Sequence, residues 1–285
     1  MESSHNIIEQ EINELKRIIL INQEMVNTPF VANTTIEKWE KSLETLTINC
    51  IYKSYSIIEL CNGFTMECYK KANNIFSYDL TSINLILRGL LENYLTLDYL
   101  YFNTLSKEEQ IFRVKLWEVS GLIARGRLNF DRYKEMNSNL RKLIEDKLKG
   151  ERDSIDRIMD EVKAMPQYST LSKKQIEKLE SFGLPRIRSW SQLIKSSSLN
   201  TAFFQNTYSL LCNNAHSEFL SVLQIGQTNP VITLNSITLI LTKTKLINCM
   251  IIKKMIQKFK SCEIVYNTLP LNETEIIKAY YNAAS

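Results

Sequence analysis

Glycine and proline are scarce in this chain, and their scarcity limits what it can fold into. The 285 residues include 7 Gly and 5 Pro, whereas average usage would supply about 20 and about 14. Tight turns and β-hairpins use these two residues, so a low content indicates few turns and long regular elements. Because 44% of the residues are hydrophobic and can form a core, the sequence predicts an all-α, multi-helix bundle.

Several kinds of site are disfavoured by the residues that the chain lacks. It has no Gly-rich phosphate loop and no H-E-x-x-H sequence, and its two histidines, His5 and His216, are too few for a three-histidine metal site. We therefore expect neither a metal nor a cofactor. The cysteines form no C-x-x-C pair and predict neither a zinc site nor a disulfide framework. They are Cys50, Cys61, Cys68, Cys212, Cys249 and Cys262.

The most apolar stretch of the chain is too short to cross a bilayer. It runs from Val231 to Leu241 and is followed by Lys243 and Lys245, whereas a spanning helix needs roughly 20 apolar residues. The first six residues are polar and do not start a secretory signal. We therefore expect a cytoplasmic protein with reduced thiols and no membrane partner.

Charge is distributed unevenly along the chain. Residues 1–105 contain 8 Lys and Arg against 13 Asp and Glu, and residues 106–195 contain 20 against 14. Six lysines and no acidic residue lie between Glu218 and Glu263. An acidic front and a basic rear suit self-association or the binding of a polyanion such as RNA. Solvated helix faces explain the same pattern, so both interpretations stay open.

The hydrophobic pattern predicts one helical domain preceded by a separate helix. Isoleucines and leucines recur every three or four residues near the N-terminus, which indicates an amphipathic helix. Pro29 is expected to break it, so residues 1–34 are predicted to be an N-terminal helical extension and linker. Residues 35–285 then form the domain, with a first helix over residues 35–73. Residues 124–165 are highly charged and are predicted to be a helical insertion.

Capping residues predict where several helices begin and end. Asp79 or Thr81 caps a helix whose body is apolar nearly all round, which is typical of a central helix. Ser106 and Ser172 are each followed three residues later by Glu or Gln, the pattern of a capping box. Gly183, with a proline two residues later, predicts a helix stop.

Arg88 and Glu92 are the first candidate functional pair. They are four residues apart in the most apolar helix and share one face with Asn84, one turn earlier. Charges buried among leucines persist only when they are paired, and burial commonly costs more than the pairing returns. The pair is therefore either an ion pair that sets helix register or part of a functional site.

His216 is the second candidate, because histidine transfers protons near neutral pH. A predicted helix from Asn200 carries Tyr208, Cys212 and His216 on one face. Asn214 and Ser217 add polar groups beside the histidine. A lone histidine in a helix is also a common hydrogen-bonding core residue, so the structural interpretation stays open as well.

Three short motifs together resemble a known kind of helical protein. They are R-x-x-x-E at Arg88, W-S at Trp190 and Y-x(7)-H-S at Tyr208. In this order they resemble an uncharacterised family of bacterial all-helical proteins. That family is similar in architecture to HEPN domains, the nucleotide-binding and ribonuclease modules of prokaryotic toxin and defence systems. The resemblance covers residues 35–260 and leaves the first and last helices unexplained.

The resemblance implies a metal-independent ribonuclease whose site commonly forms across a homodimer. Arg88 would bind phosphate, Glu92 would orient it, and His216 would act as general acid or base. Active HEPN ribonucleases carry an Arg four to six residues before the His, whereas this chain has Leu210, Leu211 and Cys212 there. An Arg from another helix would have to serve, and Arg88 is the candidate. The resemblance adds supporting residues (Asn84, Tyr208, Asn214, Ser217) and RNA-binding residues (Arg125, Arg127, Lys253, Lys254).

Two other functions remain compatible with the same residues. One is a non-catalytic helical module that binds a nucleotide or a protein partner, such as a component of a defence or toxin–antitoxin system. The other is a structural oligomer assembled through the N-terminal amphipathic helix.

Overall fold

The computed structural model describes residues 2–31, 36–66, 75–103, 106–127, 137–215, 219, 222–223, 227 and 229–285. Across these residues the regular structure is helical apart from one two-stranded sheet, so the predicted all-α, multi-helix fold is confirmed. The chain divides into two compact units. Unit 1 comprises Met1–Phe102 and Trp190–Ser285, and unit 2 comprises Asn103–Ser189.

The elements are numbered in chain order. Unit 1 begins with α1 (Glu2–Val31), α2 (Lys41–Cys61), β1 (Phe64–Met66), β2 (Ile75–Ser77) and α3 (Leu80–Leu97), which a π-helical turn (Asp98–Phe102) follows. Unit 2 contains α4 (Lys107–Gly126), α5 (Ser138–Ala164) and α6 (Lys173–Phe182). The chain then returns to unit 1 with α7 (Trp190–Ser196), α8 (Thr201–Ala215), α9 (Pro230–Lys258), α10 (Lys260–Tyr266) and α11 (Leu271–Ala284). Short 3-10 turns lie at Lys38–Glu40 and Pro166–Thr170.

The core of unit 1 is built around α9. Its middle part, from Ile240 to Ile252, is buried on nearly every side, and α1, α2, α3 and α11 all pack against it. From α1, Leu15, Ile19 and Met25 have no exposed surface. The apolar stripe of the N-terminal helix is thus covered within unit 1, and this helix, which the sequence analysis treats as an extension, lies in the core.

A buried lysine joins three helices of unit 1. The Lys245 side chain has no exposed surface, and its Nζ donates to Glu11 Oε2 at 2.7 Å and Glu14 Oε1 at 2.6 Å. It also donates to Tyr280 Oη at 3.1 Å, and that hydroxyl donates to Glu14 at 2.6 Å. We call these four residues the Lys245 cluster. An ammonium has three N–H donors, and each has an acceptor here.

Pro29 lies inside α1 and does not end it, contrary to the prediction. Proline has no N–H to donate to the carbonyl four residues earlier, which here belongs to Met25. The thiol of Cys262 donates to that oxygen instead, with an Sγ–O distance of 3.2 Å. Because the missing bond falls in the last turn and the carbonyl has another donor, the helix continues to Val31.

The helix predicted over residues 35–73 is shorter than expected. It starts at Lys41 and ends at Cys61, and the short hairpin of β1 and β2 follows. Gly63 has φ +72°, the left-handed conformation that terminates helices at little steric cost. A Cβ there would lie 2.4 Å from the Phe76 ring. The single glycine therefore ends α2 and allows β2 to pack over the turn.

Helix α3 starts where predicted and packs against α2, α8 and α9. The Asp79 carboxylate accepts from the Ser82 amide at 3.0 Å, so Asp79, one of the two predicted capping residues, is the N-cap. Leu87, Leu90, Leu91 and Leu95 are buried. Helix α3 thus packs against several other helices, as expected of a central helix, but one of its faces stays accessible to solvent.

Unit 2 has its own core, shared by α4, α5 and α6. Its residues are Phe112, Leu116, Val119, Ile158, Val162, Leu171, Leu179 and Leu184. Ser172 forms both bonds of the predicted capping box, and Ser106 accepts from the Glu109 amide at 3.2 Å. Gly183 ends α6 with φ +79°, as predicted. In the charged stretch, residues 138–157 of α5 include no buried residue.

In the described part of the chain, none of the helices combines the length and the apolarity that crossing a membrane requires.

Candidate functional site

One stripe of α3 is accessible to solvent. Leu85, Arg88, Gly89, Glu92 and Thr96 recur at helical spacing, and none of them is buried. The side chains of Arg88 and Glu92 keep 23% and 24% of their exposure. This pair was expected to be buried among leucines, but the buried leucines (Leu87, Leu90, Leu91 and Leu95) lie on the other faces of α3. A ligand from solvent can therefore reach both charges.

Glu92 joins the two helices that carry the candidate residues. Its Oε1 accepts from Arg88 Nε at 3.0 Å and from Tyr208 Oη, on α8, at 2.9 Å. The Arg88 guanidinium also lies over the Tyr208 ring, 5.7 Å from its centroid, which is within the range of a cation–π contact. The structure thus brings together three of the sequence-predicted residues, two of them 116 positions apart.

The surroundings of Tyr208 and Arg88 determine the charge of each side chain. Burial raises the pKa of Tyr208 above its usual value, and the hydrogen bond to Glu92 raises it further. The phenol therefore stays protonated at neutral pH. Burial alone would lower the pKa of Arg88, but the Glu92 carboxylate outweighs it and raises that pKa. Tyr208 is thus a hydrogen-bond donor and Arg88 a permanent cation. Neither can take up a proton as a general base.

Lys53, on α2, is a site residue that the sequence analysis missed. Its side chain crosses α3 at Gly89, where an added Cβ would lie 3.1 Å from Lys53 Cε. Its Nζ donates to Asn49 Oδ1 at 2.9 Å. Burial lowers the pKa of Lys53, and the Glu92 charge acts in the opposite direction. We call Lys53, Arg88, Glu92 and Tyr208 the α3 cluster.

His216 and Ser217, the predicted general acid or base and its neighbour, lie outside the described residues. The described part of α8 ends at Ala215, immediately before them. Cys212 is four positions before His216, and its thiol is among the neighbours that raise the pKa of Tyr208. The last turn of α8 therefore lies near the α3 cluster.

Asn84 and Asn214 are the two residues predicted to support the site with their side-chain amides. Asn84 lies one turn before Arg88 on α3 and is half-buried. Asn214 is 7% exposed, and its Nδ2 donates to the Leu210 carbonyl at 3.1 Å. The amide of Asn214 is thus turned toward its own helix, where it stabilises the last turn of α8.

The four basic residues predicted to bind RNA lie in two different units. Arg125 and Arg127 belong to unit 2, and Lys253 and Lys254 belong to unit 1. Each has a partner within its own unit. The contacts are Arg125 Nη1 to Glu151 Oε1 at 3.2 Å, Arg127 Nη2 to the Ser181 carbonyl, Lys253 Nζ to Tyr266 Oη at 3.0 Å, and Lys254 Nζ to Ser198 Oγ at 2.6 Å.

Among the described residues no group of three or more His, Cys, Asp or Glu side chains is arranged to hold a metal ion. The thiol nearest to the α3 cluster on α2 is that of Cys50, and its burial raises its pKa to about 12. A thiol with so high a pKa is almost entirely protonated at neutral pH and is a poor nucleophile. The α3 cluster thus offers two cations, a carboxylate and a phenol, with the thiol of Cys212 beside Tyr208.

Comparison with known proteins finds no relative of this chain. The chain matches no family model, no curated protein and no solved structure. The resemblance to HEPN domains stays a prediction from the three short motifs.

Proposed function

We propose that this protein is a metal-independent endoribonuclease of a bacterial defence or toxin system, acting on RNA in the cytoplasm as a homodimer. Arg88 binds the phosphate at the cleavage point, Glu92 and Tyr208 hold Arg88 in place, and His216 transfers a proton. One observation carries the proposal. Glu92 ties Arg88 to Tyr208 at 3.0 and 2.9 Å, on the helix that leads directly to His216.

The proposed reaction needs a cation and a proton carrier. The ribose 2′-oxygen bonds to phosphorus while the bond from phosphorus to the 5′-oxygen breaks. The proton that leaves the 2′-hydroxyl is balanced by a proton delivered to the departing 5′-oxygen, and His216 takes part in this transfer. Arg88 stabilises the negative charge that develops on the phosphate. The products are a 2′,3′-cyclic phosphate and a 5′-hydroxyl.

The first test uses induced expression in bacteria, with growth and total RNA followed together. Wild type should slow growth and fragment RNA, whereas His216→Ala and Arg88→Ala should do neither at equal protein levels. His5→Ala is the matched control, because it removes the other histidine of the chain, and it should behave like wild type.

Purified protein provides the second test. Wild type should cleave RNA in the presence of a chelator and leave 2′,3′-cyclic phosphate ends. His216→Ala should lower the rate by about 10²- to 10⁴-fold, the usual contribution of a general acid or base. Intact RNA with wild-type protein, both in cells and in vitro, would contradict the proposal.

A second candidate is a non-catalytic module that binds a nucleotide or a protein partner through the same face. One observation favours it: Glu92 already compensates the charge of Arg88 within the protein, as expected of an ion pair that serves structure. In that case wild type binds its ligand but leaves RNA intact. His216→Ala then has no effect on binding, while Arg88→Ala weakens it.

A further inference from the structure

Lys53 reaches the accessible stripe of α3 at the one position where that helix has a glycine. The virtual Cβ of Gly89 lies 3.1 Å from Lys53 Cε and 3.6 Å from Lys53 Cδ. Contacts near 3.1 Å are tighter than most that real Cβ atoms make, so Lys53 would have to move by a few tenths of an ångström if residue 89 had a side chain. The aliphatic part of Lys53 thus lies directly against α3 at Gly89.

A glycine at this position is unfavourable for the helix itself. Glycine loses more backbone freedom on folding than alanine and destabilises helix interiors. Gly89 lies in the middle of α3 and has no positive φ that would require glycine. Outside its own helix backbone, an added Cβ at residue 89 would meet only Lys53 within 4 Å among the described residues.

The charge balance of the α3 cluster leaves capacity for an anion. Two cations, Lys53 and Arg88, act on one carboxylate, Glu92. A guanidinium has five N–H donors and an ammonium has three. Among the described residues, the Arg88 guanidinium hydrogen-bonds Glu92 through Nε, and the Lys53 ammonium bonds Asn49. Several N–H groups of Arg88 and Lys53 on this solvent-accessible stripe thus have no acceptor among the described residues.

We propose that Lys53 is a second phosphate-binding residue of this site, and that Gly89 is a positioning residue that keeps open the path of its side chain across α3. This inference rests on the proposed function, since the phosphate is taken to be that of an RNA backbone. The ligand is bound between an ammonium from α2 and a guanidinium from α3. Glu92 is the counter-ion that Arg88 bonds and whose charge also acts on Lys53.

Binding of a fluorescent single-stranded 2′-O-methyl oligoribonucleotide tests the inference, because this RNA lacks the 2′-hydroxyl and cannot be cleaved. The full-length protein is titrated over a series of salt concentrations. Lys53→Gln should weaken binding and make the slope of log K against log salt shallower by about 0.7, the value for one contact to single-stranded phosphate. Lys53→Arg should keep the wild-type slope.

Gly89→Ala should weaken binding in the same direction while Lys53 keeps its charge. Adding Gly89→Ala to Lys53→Gln should cause no further loss, because both changes remove the same contact. The matched controls are Lys41→Gln, an exposed lysine on α2, and Gly121→Ala, a helical glycine whose added Cβ would meet nothing within 4 Å. Both controls should bind like wild type, and circular dichroism should verify that each variant is folded.

The outcomes separate the two proposals. If Arg88→Ala abolishes binding but Lys53→Gln binds and responds to salt like wild type, the role of Lys53 is wrong and the proposed function stands. If Gly89→Ala and Lys53→Gln add independently, Gly89 does not act through Lys53. If wild type itself does not bind the oligonucleotide, the proposed function and this inference both fail.

Discussion

Unit 1 contains two charged clusters of opposite composition. The Lys245 cluster sets two carboxylates and a phenol around one ammonium, whereas the α3 cluster sets two cations and a phenol around one carboxylate. The Lys245 side chain has no exposed surface, but Glu11 and Glu14 beside it keep 27% and 32% of theirs, close to the 23% and 24% of Arg88 and Glu92. The clusters therefore differ in the sign of their excess charge and in the exposure of their cations, because the Lys245 ammonium is covered whereas the Arg88 guanidinium reaches solvent.

The difference shows which cluster suits structure and which suits binding. In the Lys245 cluster every ammonium proton has an acceptor inside the protein, so the ammonium has no donor left for a ligand. In the α3 cluster the donors outnumber the described acceptors, and they face solvent. A buried charge with complete pairing holds helices in register, whereas an accessible and incompletely paired one can exchange water for a ligand.

The largest expected effect comes from removing the charges that surround the buried ammonium. Glu11→Gln together with Glu14→Gln should lower the free energy of unfolding by about 3–5 kcal/mol, because a buried charge is left uncompensated. Urea unfolding at neutral pH measures this loss.

Two further variants sharpen that result. Glu92→Gln removes the single carboxylate of the α3 cluster and should cost only about 0–1 kcal/mol, since its cations reach solvent. Adding Lys245→Met to the double variant should restore part of the lost stability, because the buried charge disappears with it. Equal losses for Glu92→Gln and the double variant would show that the two clusters do not differ as described.

Acid should weaken the Lys245 cluster. Burial opposes ionisation of Glu14, but hydrogen bonds from Lys245 and Tyr280 outweigh it and lower the pKa of the carboxyl below its usual 4.5. The unfolded chain then binds the proton more tightly than the folded one. The stability that Glu14 contributes is therefore complete above pH 4.5 and is lost as the pH falls toward the lower folded value.

Unfolding measured from pH 7 downward tests this expectation. Wild-type stability should decline below pH 4.5, and Glu14→Gln should decline less steeply because it has no carboxyl to protonate at this position. A profile for Glu14→Gln that runs parallel to that of wild type would contradict the assignment.

A small effect is expected from loss of the hydrogen bond that joins α3 to α8. Tyr208→Phe removes the hydroxyl that donates to Glu92 and should lower stability by about 0.5–1.5 kcal/mol, the net value of one hydrogen bond. Arg88 continues to pair with the carboxylate, so no buried charge is left alone. Tyr52→Phe is the control, since Tyr52 is 65% exposed, and it should change nothing measurable. If both variants cost the same, the bond from Tyr208 does not stabilise the packing of the two helices.

Local sequence patterns predicted several helix boundaries because the signals act within a few residues. Asp79, Ser172 and Gly183 mark helix ends through contacts with their own neighbours, and all three do so in the structure. Pro29 shows the limit of such signals. Its effect on α1 depends on a thiol 233 positions away, from Cys262, and no pattern around the proline contains that information.

The candidate site was predicted in part for the same reason. Arg88 and Glu92 are four residues apart, so helical geometry alone places them together. Their burial was judged from the leucines around them, but which face of α3 is covered depends on where α2, α8 and α9 pack. Lys53 was missed because it comes from a different helix. The unusual feature beside it in the sequence is Gly89, a glycine inside an apolar helix.

Residue type and spacings of three or four are enough to predict that this protein is built of helices, that Arg88 and Glu92 share a helix face, and where several helices begin and end. The packing of the helices decides the rest: the Lys245 ammonium is covered, whereas the Arg88 guanidinium reaches solvent. Access to solvent and the number of acceptors around a charge depend on which helices pack against each face, and residues far apart in the sequence meet only there.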